Sequence, residues 1–217
     1  MDKMTQPLAL DSTTRLLFPA VIQQREFGRS PFNQEILHRI RAMRDDPAIS
    51  NACQMREIAT IGGYQPDLDL NDYYIKDPAW SGFMRRVIHP ALQLYMAEHC
   101  KIAGWPRRGT KYGFNATWAV LYPPGAYQAP HIHHNTFCVC AYYAKVPNRP
   151  QPEGAISFIN PHLESTFPYR HSWRYHETIQ PQDGSLIIFP GWLQHYSHPH
   201  NEGGERLLLT FDVKIFD

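Results

Sequence analysis

The sequence predicts one mainly β domain, a small β-barrel with helices packed against it. At about residue 112 the spacing of apolar residues changes from helical to alternating, which is typical of strands. The later segments are short apolar runs separated by turn residues, and the chain contains 19 prolines and 13 glycines. We therefore predict a single domain, residues 1–217, with a helical buttress and an edge strand in 1–111 and the barrel core in 112–217.

The buttress is predicted to begin with an edge strand and a helix. The apolar stretch 16–27 predicts the strand, and Pro19 favours a sheet edge because proline donates no backbone hydrogen bond. Ser30 followed by Pro31 predicts the start of the helix. Apolar residues then recur at spacings of four and three, so this helix has one apolar face through about Arg44.

A second, longer helix is predicted after a stretch of loops and short elements at 45–75. Its apolar residues run from Trp80 to about Ala103. Pro90 should kink this helix or divide it in two, because proline lacks the backbone N–H that the helix requires. Gly104 should end it.

The barrel half is predicted to contain five strands rich in apolar residues. They lie at 112–122, 137–146, 155–159, 185–189 and 206–216. In the last strand the even-numbered positions share one face and the odd-numbered positions share the other, because side chains alternate along a strand. Short strands separated by Gly, Pro and Asn turns favour a sandwich or a small barrel.

Composition and charge exclude several classes of protein. The 21 basic and 20 acidic side chains give no charged surface for nucleic acid or for an anionic membrane. No apolar run approaches the roughly 20 residues that cross a bilayer, and we see no pattern of a secretory signal. The four cysteines form no CxxC pair, so we predict reduced thiols and a cytoplasmic location.

The densest chemical signal is the histidine pair His131 and His133. On an extended segment these side chains point the same way, so both imidazoles can bind one metal ion. A buried strand, 185–189, then leads through Pro190 and a turn to His195. A barrel that brings His195 beside the pair would create a one-sided, three-histidine metal site with positions open for substrate and oxygen.

Arg206 is the third signal, because it opens the last strand eleven residues after His195. Most residues of that strand are apolar, so the guanidinium needs a partner. A ligand with a carboxylate suits it, since guanidinium binds carboxylate through two parallel hydrogen bonds.

These segments resemble the Fe(II)/2-oxoglutarate-dependent oxygenases, and most closely a bacterial and phage group of 2OG-Fe(II) oxygenases. The segments that carry the resemblance are 130–133, 142–143, 145–147, 154–161, 184–190, 195 and 205–206. The resemblance covers about residues 112–217 well and the N-terminal half only loosely. It implies a double-stranded β-helix, the jelly-roll or cupin-like barrel, with N-terminal helices packed on it.

The resemblance also implies a non-haem iron dioxygenase, an oxidoreductase that hydroxylates an unknown substrate. Fe(II) would bind His131, His133 and His195. The substrate would be a small molecule or a protein side chain, with dioxygen as the oxidant, and the barrel edges are compatible with a homodimer.

The co-substrate that the resemblance implies is 2-oxoglutarate. It would chelate the metal through its 2-oxo and 1-carboxylate groups, and its distal carboxylate would pair with Arg206. Thr210 or Tyr122 would add a hydrogen bond to that carboxylate.

The chain departs from the family pattern at the metal site itself. His133 stands where the wider superfamily has a carboxylate ligand. Three neutral ligands leave the full +2 charge on the metal, which should strengthen binding of anionic co-substrates. Three further departures concern the pocket: His134 replaces Pro, Val139-Cys140 replaces Ser-Gly, and His162 replaces Arg.

Three alternatives stay open. The spacing of Gly125 and Gly184 from the histidines also resembles cupin motifs, which allows a three-histidine iron dioxygenase that acts without 2-oxoglutarate, for instance on a thiol. In that case Arg206 would bind a carboxylate of the substrate. A three-histidine zinc site would favour hydrolytic or lyase chemistry. The last alternative is a non-catalytic barrel that binds a metal or a small molecule.

Several further side chains are predicted near the barrel mouth. Trp118, Tyr143 and Trp192 are candidates for the pocket wall, although ordinary core packing explains them equally well. His198 and His200 are predicted to be loop residues at the mouth.

Overall fold

The structure is a computed structural model, and it describes residues 19–50, 59–161 and 175–216. Two antiparallel five-stranded sheets enclose an apolar interior, and the N-terminal helices pack on the outside of one sheet. This architecture confirms the predicted double-stranded β-helix with N-terminal helices.

The described residues form ten strands. In chain order they are β1 (Gln23–Glu26), β2 (Thr60–Ile61), β3 (Lys111–Tyr122), β4 (Tyr127–His131), β5 (Cys138–Lys145), β6 (Ile156–Ile159), β7 (His176–Ile179), β8 (Ser185–Pro190), β9 (His195–Ser197) and β10 (Arg206–Phe216). The major sheet has the order β1-β8-β5-β10-β3, and the minor sheet has the order β2-β4-β9-β6-β7.

The helices precede the barrel strands. They are α1 (Pro31–Asp45), α2 (Pro47–Ser50), α3 (Leu70–Tyr73), α4 (Pro78–Phe83) and α5 (His89–Ala103), with a π-helical turn (Met84–Ile88) between α4 and α5. No helix of the described ranges is both long and apolar enough to cross a membrane.

Helix α1 begins where Ser30 and Pro31 predict it, and its predicted apolar face is buried. The buried apolar residues are Ile36, Ile40 and Met43. The Ser30 hydroxyl donates to Oδ1 of Asn33 at 2.7 Å, and the Asn33 amide donates to the Ala144 carbonyl of β5 at 3.0 Å. This buried polar contact fixes the helix on the major sheet.

The second predicted helix is not broken at Pro90: α4, the π-helical turn and α5 follow one another without a gap, and the backbone is right-handed helical at Met84, Ile88 and His89. Pro90 directly follows the π-helical turn, a local change in hydrogen bonding that accommodates its missing N–H. Gly104 ends α5 with a left-handed backbone, φ +73°, and its N–H donates to the Cys100 carbonyl at 2.9 Å.

Strand β10 lies between β5 and β3, and its two faces have different surroundings. One face packs against the helices through Leu207, Leu209, Phe211 and Val213. The other face points into the barrel and carries Arg206, Leu208, Thr210 and Asp212, all of them buried. The alternation predicted from the sequence is therefore present.

The cysteines of β5 lie on the helix side of the major sheet. Cys138 and Cys140 are buried and unpaired, and burial raises the pKa of the Cys138 thiol well above its usual range. Cys53, the start of the predicted strand at 16–27, and His162 lie outside the described residues.

Candidate active site

The structure brings together the three histidines that the sequence predicts as metal ligands. His131 is the last residue of β4, His195 is the first residue of β9, and the two face each other across these paired strands. His133 follows two residues beyond the end of β4. One ring nitrogen of each histidine lies within 4.8 Å of the others.

Hydrogen bonds orient each imidazole through its Nδ1 atom. His131 Nδ1 lies 2.8 Å from the Ala129 carbonyl, and His195 Nδ1 lies 2.9 Å from the Leu193 carbonyl. A carbonyl only accepts, so both Nδ1 atoms carry the hydrogen and the Nε2 atoms keep their lone pairs. Nε2 is therefore the nitrogen available to a metal.

The loop that carries His133 is held by Gly191. The His133 N–H donates to the Gly191 carbonyl at 2.9 Å. A Cβ at residue 191 would lie 2.4 Å from the Thr136 carbonyl, so only glycine lets these two segments approach so closely. The Pro-Gly turn before His195 thus also positions His133.

The His133 ring is fixed on two sides. Its Nδ1 lies 2.7 Å from Oδ1 of Asp212, which is buried on the inner face of β10. Trp118 stacks on the ring with centroids 5.7 Å apart and an interplanar angle of 17°. Trp118, a predicted pocket residue, therefore contacts a candidate ligand directly.

Burial keeps two of the imidazoles neutral. Removal from water lowers the pKa of His131 to about 4 and that of His195 to about 3. His131 Nε2 is buried and has no hydrogen-bond partner among the described residues. An unprotonated, buried and unsatisfied nitrogen is suited to a metal ion, and imidazole is a good ligand for iron, zinc and copper. The residues present therefore fit a divalent transition metal.

A narrow cavity inside the barrel connects two of the three histidines to Arg206. His133, His195, Tyr143, Thr210 and Arg206 all line it, together with apolar residues of both sheets. The accessible space between these side chains is small, about 10 Å³, which is room for about one water molecule. The cavity therefore has two candidate metal ligands and a cation on its walls.

Arg206 is almost completely buried, at 1% exposure, and no carboxylate among the described residues pairs with it. Nη1 donates to the carbonyls of Gly154 and His198 at 2.8 and 3.2 Å, and Nη2 donates to the Ser197 hydroxyl at 3.0 Å. A guanidinium has five N–H groups, so Nε and one hydrogen of Nη2 are left. Burial lowers the pKa of Arg206, since the charge is held away from water.

The two other predicted co-substrate residues occupy different places. Thr210 is buried and lines the cavity. Tyr122 lies opposite Arg206 on β3, and the centroid of its ring is 4.3 Å from the guanidinium carbon, so the ring makes a cation–π contact with Arg206. Tyr122 is not among the residues that line the cavity, and burial raises its pKa to about 12.

The remaining histidines near the barrel mouth have structural contacts. His134 is exposed on the turn after His133. The His198 ring bonds to the Ser157 hydroxyl at 2.8 Å, and its carbonyl accepts from Arg206. His200 is fully buried, and its Nε2 donates to the Gly204 carbonyl at 2.7 Å. The segment 198–204 therefore forms part of the surroundings of Arg206.

Asp212 is the site residue that the sequence analysis did not identify. A signal was present, because Asp212 shares the inward face of β10 with Arg206 and Thr210. A carboxylate on the buried face of a strand requires a partner, and the partner is His133.

Residues 116–212 match the sequence model of the family described as "Putative 2OG-Fe(II) oxygenase". This span contains the three histidines, Arg206 and Asp212. No curated protein sequence matches the chain.

Solved structures resemble the whole chain. A prolyl hydroxylase from Trichoplax adhaerens, in complex with a hypoxia inducible factor peptide fragment, has a TM-score of 0.56 and 16% identity, over 91% of this chain and 83% of that chain. A prolyl-4-hydroxylase from Pseudomonas putida has a TM-score of 0.54 and 16% identity, over 90% and 93%. HygX from Streptomyces hygroscopicus, with nickel and 2-oxoglutarate bound, has a TM-score of 0.55 and 10% identity, over 89% and 82%. At these identities the likeness establishes the fold.

Proposed function

We propose, from the match of residues 116–212 to the model of the family described as "Putative 2OG-Fe(II) oxygenase", that this chain is an Fe(II)- and 2-oxoglutarate-dependent oxygenase. It would oxidise an unidentified small molecule or protein side chain. His131, His133 and His195 would hold the iron. When bound, iron and 2-oxoglutarate supply the activation of dioxygen and the oxidation of a C–H bond.

The observation that carries this proposal is Arg206. A buried guanidinium without an acidic partner is costly, because its charge has lost water and gained no counter-charge. Its Nε and Nη2 donors are the two N–H groups that a carboxylate accepts side by side. The same cavity holds His133 and His195, so a dicarboxylate that widens it through side-chain movement would contact the metal site and the cation together.

The chain's own residues would bind and orient the co-substrate. Three neutral imidazoles add no negative charge to a divalent metal, so the centre stays positive, and Arg206 adds a second positive charge in the same cavity. Both charges favour a dianion. The apolar walls, including Val139 and Phe189, would exclude water from the ligands.

The substrate is expected to approach from a surface groove beside His133. His133 lines this groove as well as the inner cavity, and Trp105, Ile132 and Trp192 are its exposed apolar residues. Trp192, predicted for the pocket wall, thus lies on the outer side of the site. The groove connects solvent to His133 without passing Arg206.

Anaerobic titration of the Fe(II)-loaded protein with 2-oxoglutarate tests the proposal. We expect the weak visible charge-transfer band of a chelated 2-oxo acid in the wild-type protein. Arg206→Ala and Arg206→Lys should weaken 2-oxoglutarate binding at least about 30-fold, as expected when one partner of a buried charge pair is removed. Arg39→Ala is a matched control, because Arg39 pairs with Glu35 and Asp77 in the helical region and does not line the cavity. Circular dichroism verifies that each variant is folded.

A three-histidine dioxygenase that does not use 2-oxoglutarate is the second candidate, and it is favoured by the histidine at position 133 in place of a carboxylate. It predicts that iron binds without any band on addition of 2-oxoglutarate. Oxygen uptake with a thiol substrate would then proceed in the absence of 2-oxoglutarate. That pair of results would overturn the leading proposal.

A further inference from the structure

The three candidate ligands differ in what their Nδ1 atoms contact. Two of them, His131 and His195, donate to backbone carbonyls, which are neutral. The third, His133, contacts the carboxylate of Asp212 at 2.7 Å. One ligand of the three is therefore linked to a negative charge.

Asp212 has no other ionic partner among the described residues. It is 8% exposed, and its only ion-pair contact is with His133. Its neighbours across the sheet, Ala116 and Val139, are apolar. A buried carboxylate without a lysine or arginine is unfavourable for folding, so its presence here indicates a role toward the histidine.

We infer that Asp212 is a positioning residue that acts through His133 to complete the metal site, an inference that rests on the proposed function. The carboxylate holds the hydrogen of His133 on Nδ1 and leaves the Nε2 lone pair for the metal. A carboxylate in this place also makes the imidazole a stronger donor. His133 and Asp212 together thus supply the negative charge that a carboxylate ligand would supply directly.

The charges support this assignment. Two histidines and one carboxylate would reduce the charge of a divalent metal centre to +1, whereas three neutral histidines leave it at +2. Asp212 restores the total of +1, one hydrogen bond away from the ligand nitrogen. The position of the charge differs from that in a two-histidine, one-carboxylate site, while its sum is the same.

The ring of His133 is prepared for this role. Trp118 stacks on the ring at an interplanar angle of 17°, and the backbone N–H of His133 donates to the Gly191 carbonyl. The position of His133 is therefore restrained even without the carboxylate. Removal of the charge alone should therefore leave His133 in place. This makes it possible to separate the effect of the charge from a loss of structure.

Metal affinity of the stripped protein tests the inference. We would measure Co(II) and Zn(II) dissociation constants by competition with a chelator, and the visible Co(II) spectrum, for the wild-type protein and for Asp212→Asn. Asparagine keeps the shape and a hydrogen-bond acceptor but removes the charge. We expect metal binding 10- to 100-fold weaker, the usual effect of losing such a partner, together with a changed Co(II) spectrum.

Two further variants serve as controls. Asp183→Asn removes another largely buried carboxylate, which lies outside the site and accepts the Val146 N–H at 2.7 Å. This variant should leave metal affinity within about threefold of the wild-type value. His133→Ala should weaken binding at least as much as Asp212→Asn. The unfolding temperature of metal-free Asp212→Asn should stay within about 4 °C of the wild-type value.

The outcomes separate this inference from the proposed function. If wild-type protein binds metal and Asp212→Asn binds it equally well, the inference is wrong and the three-histidine site stands. If Asp212→Asn and Asp183→Asn weaken binding equally, Asp212 is merely structural and the inference is also wrong. If wild-type protein binds no metal, or His133→Ala has no effect, both proposals fail.

Discussion

The two faces of β10 have opposite chemistry although both are buried. The outer face carries Leu207, Leu209, Phe211 and Val213 against the helices. On the inner face, Arg206 and Thr210 line the cavity, and Asp212 contacts the candidate ligand His133. Adjacent residues of a single strand thus separate the contacts that stabilise the fold from those that form the site.

This difference explains what the N-terminal half contributes. The helices of the buttress supply no ligand to the histidine cluster in the described ranges. They cover the outer face of the major sheet, and apolar burial of that face offsets the cost of the charges on the inner face. The helices therefore support the site without contacting it.

The largest expected effect on stability comes from the outer face. Phe211 lies within 6.3 Å of the rings of Trp80, Phe83 and Phe114, measured between centroids. Phe211→Ala should destabilise the fold by about 3–5 kcal/mol, because it leaves a cavity under the helices. Thermal unfolding should show a midpoint lower by roughly 10 °C.

The neighbouring residue provides the matched comparison. Below its unfolding transition, Phe211→Ala should bind Co(II) within about threefold of the wild-type protein, whereas Asp212→Asn should lose affinity and keep its stability. If Phe211→Ala weakened metal binding as much as Asp212→Asn, the two faces would not be functionally separate.

A smaller effect is expected when the metal-free protein is acidified. Burial holds the pKa of His131 at about 4 and that of His195 at about 3, below the value of 6.5 for an exposed histidine. Below pH 6.5 the unfolded chain therefore binds protons that the folded chain does not bind, so stability falls as the pH falls. Between pH 7 and pH 5.5 the two histidines together should lower the free energy of unfolding by about 2–3 kcal/mol.

Denaturant unfolding of metal-free protein at several pH values measures this loss. Burial also lowers the pKa of His89, His198 and His200, so the total slope is not specific to the site. Comparison with His195→Asn isolates the contribution of one histidine. Between pH 7 and 5.5 the free energy of unfolding of this variant should fall by roughly 1 kcal/mol less than that of the wild-type protein. An identical slope in the two proteins would mean that His195 is not held neutral in the folded state.

The fold was predictable where an element is long enough to show a period. The helix α1 and the strands β3, β5, β8 and β10 lie where the apolar pattern predicts them. The strands β2, β7 and β9 contain two to four residues and pair with distant segments, so no local period identifies them. Thr60–Ile61, for example, joins the minor sheet only through residues 127–128.

The site was predictable to the extent that it rests on spacing within one segment. The alternation along a strand relates His131 to His133 and places Arg206 and Thr210 on one face. The contact between His133 and Asp212 joins residues 79 positions apart and depends on the loop beyond β4, which strand alternation does not describe. The orientation of Arg206 likewise depends on carbonyls of two loops.

The smallest predicted effect distinguishes two hydroxyl groups near Arg206. Thr210 lines the cavity, whereas the Tyr122 ring lies under the guanidinium. Thr210→Val keeps the branched shape and removes one hydrogen-bonding group, so 2-oxoglutarate binding should weaken roughly fivefold, equal to about 1 kcal/mol. Tyr122→Phe keeps the ring on the cation and should leave binding within about twofold. The reverse ranking in the anaerobic titration would mean that the carboxylate meets Arg206 from the Tyr122 side, and the inner face of β10 would then contribute only its charges to the site.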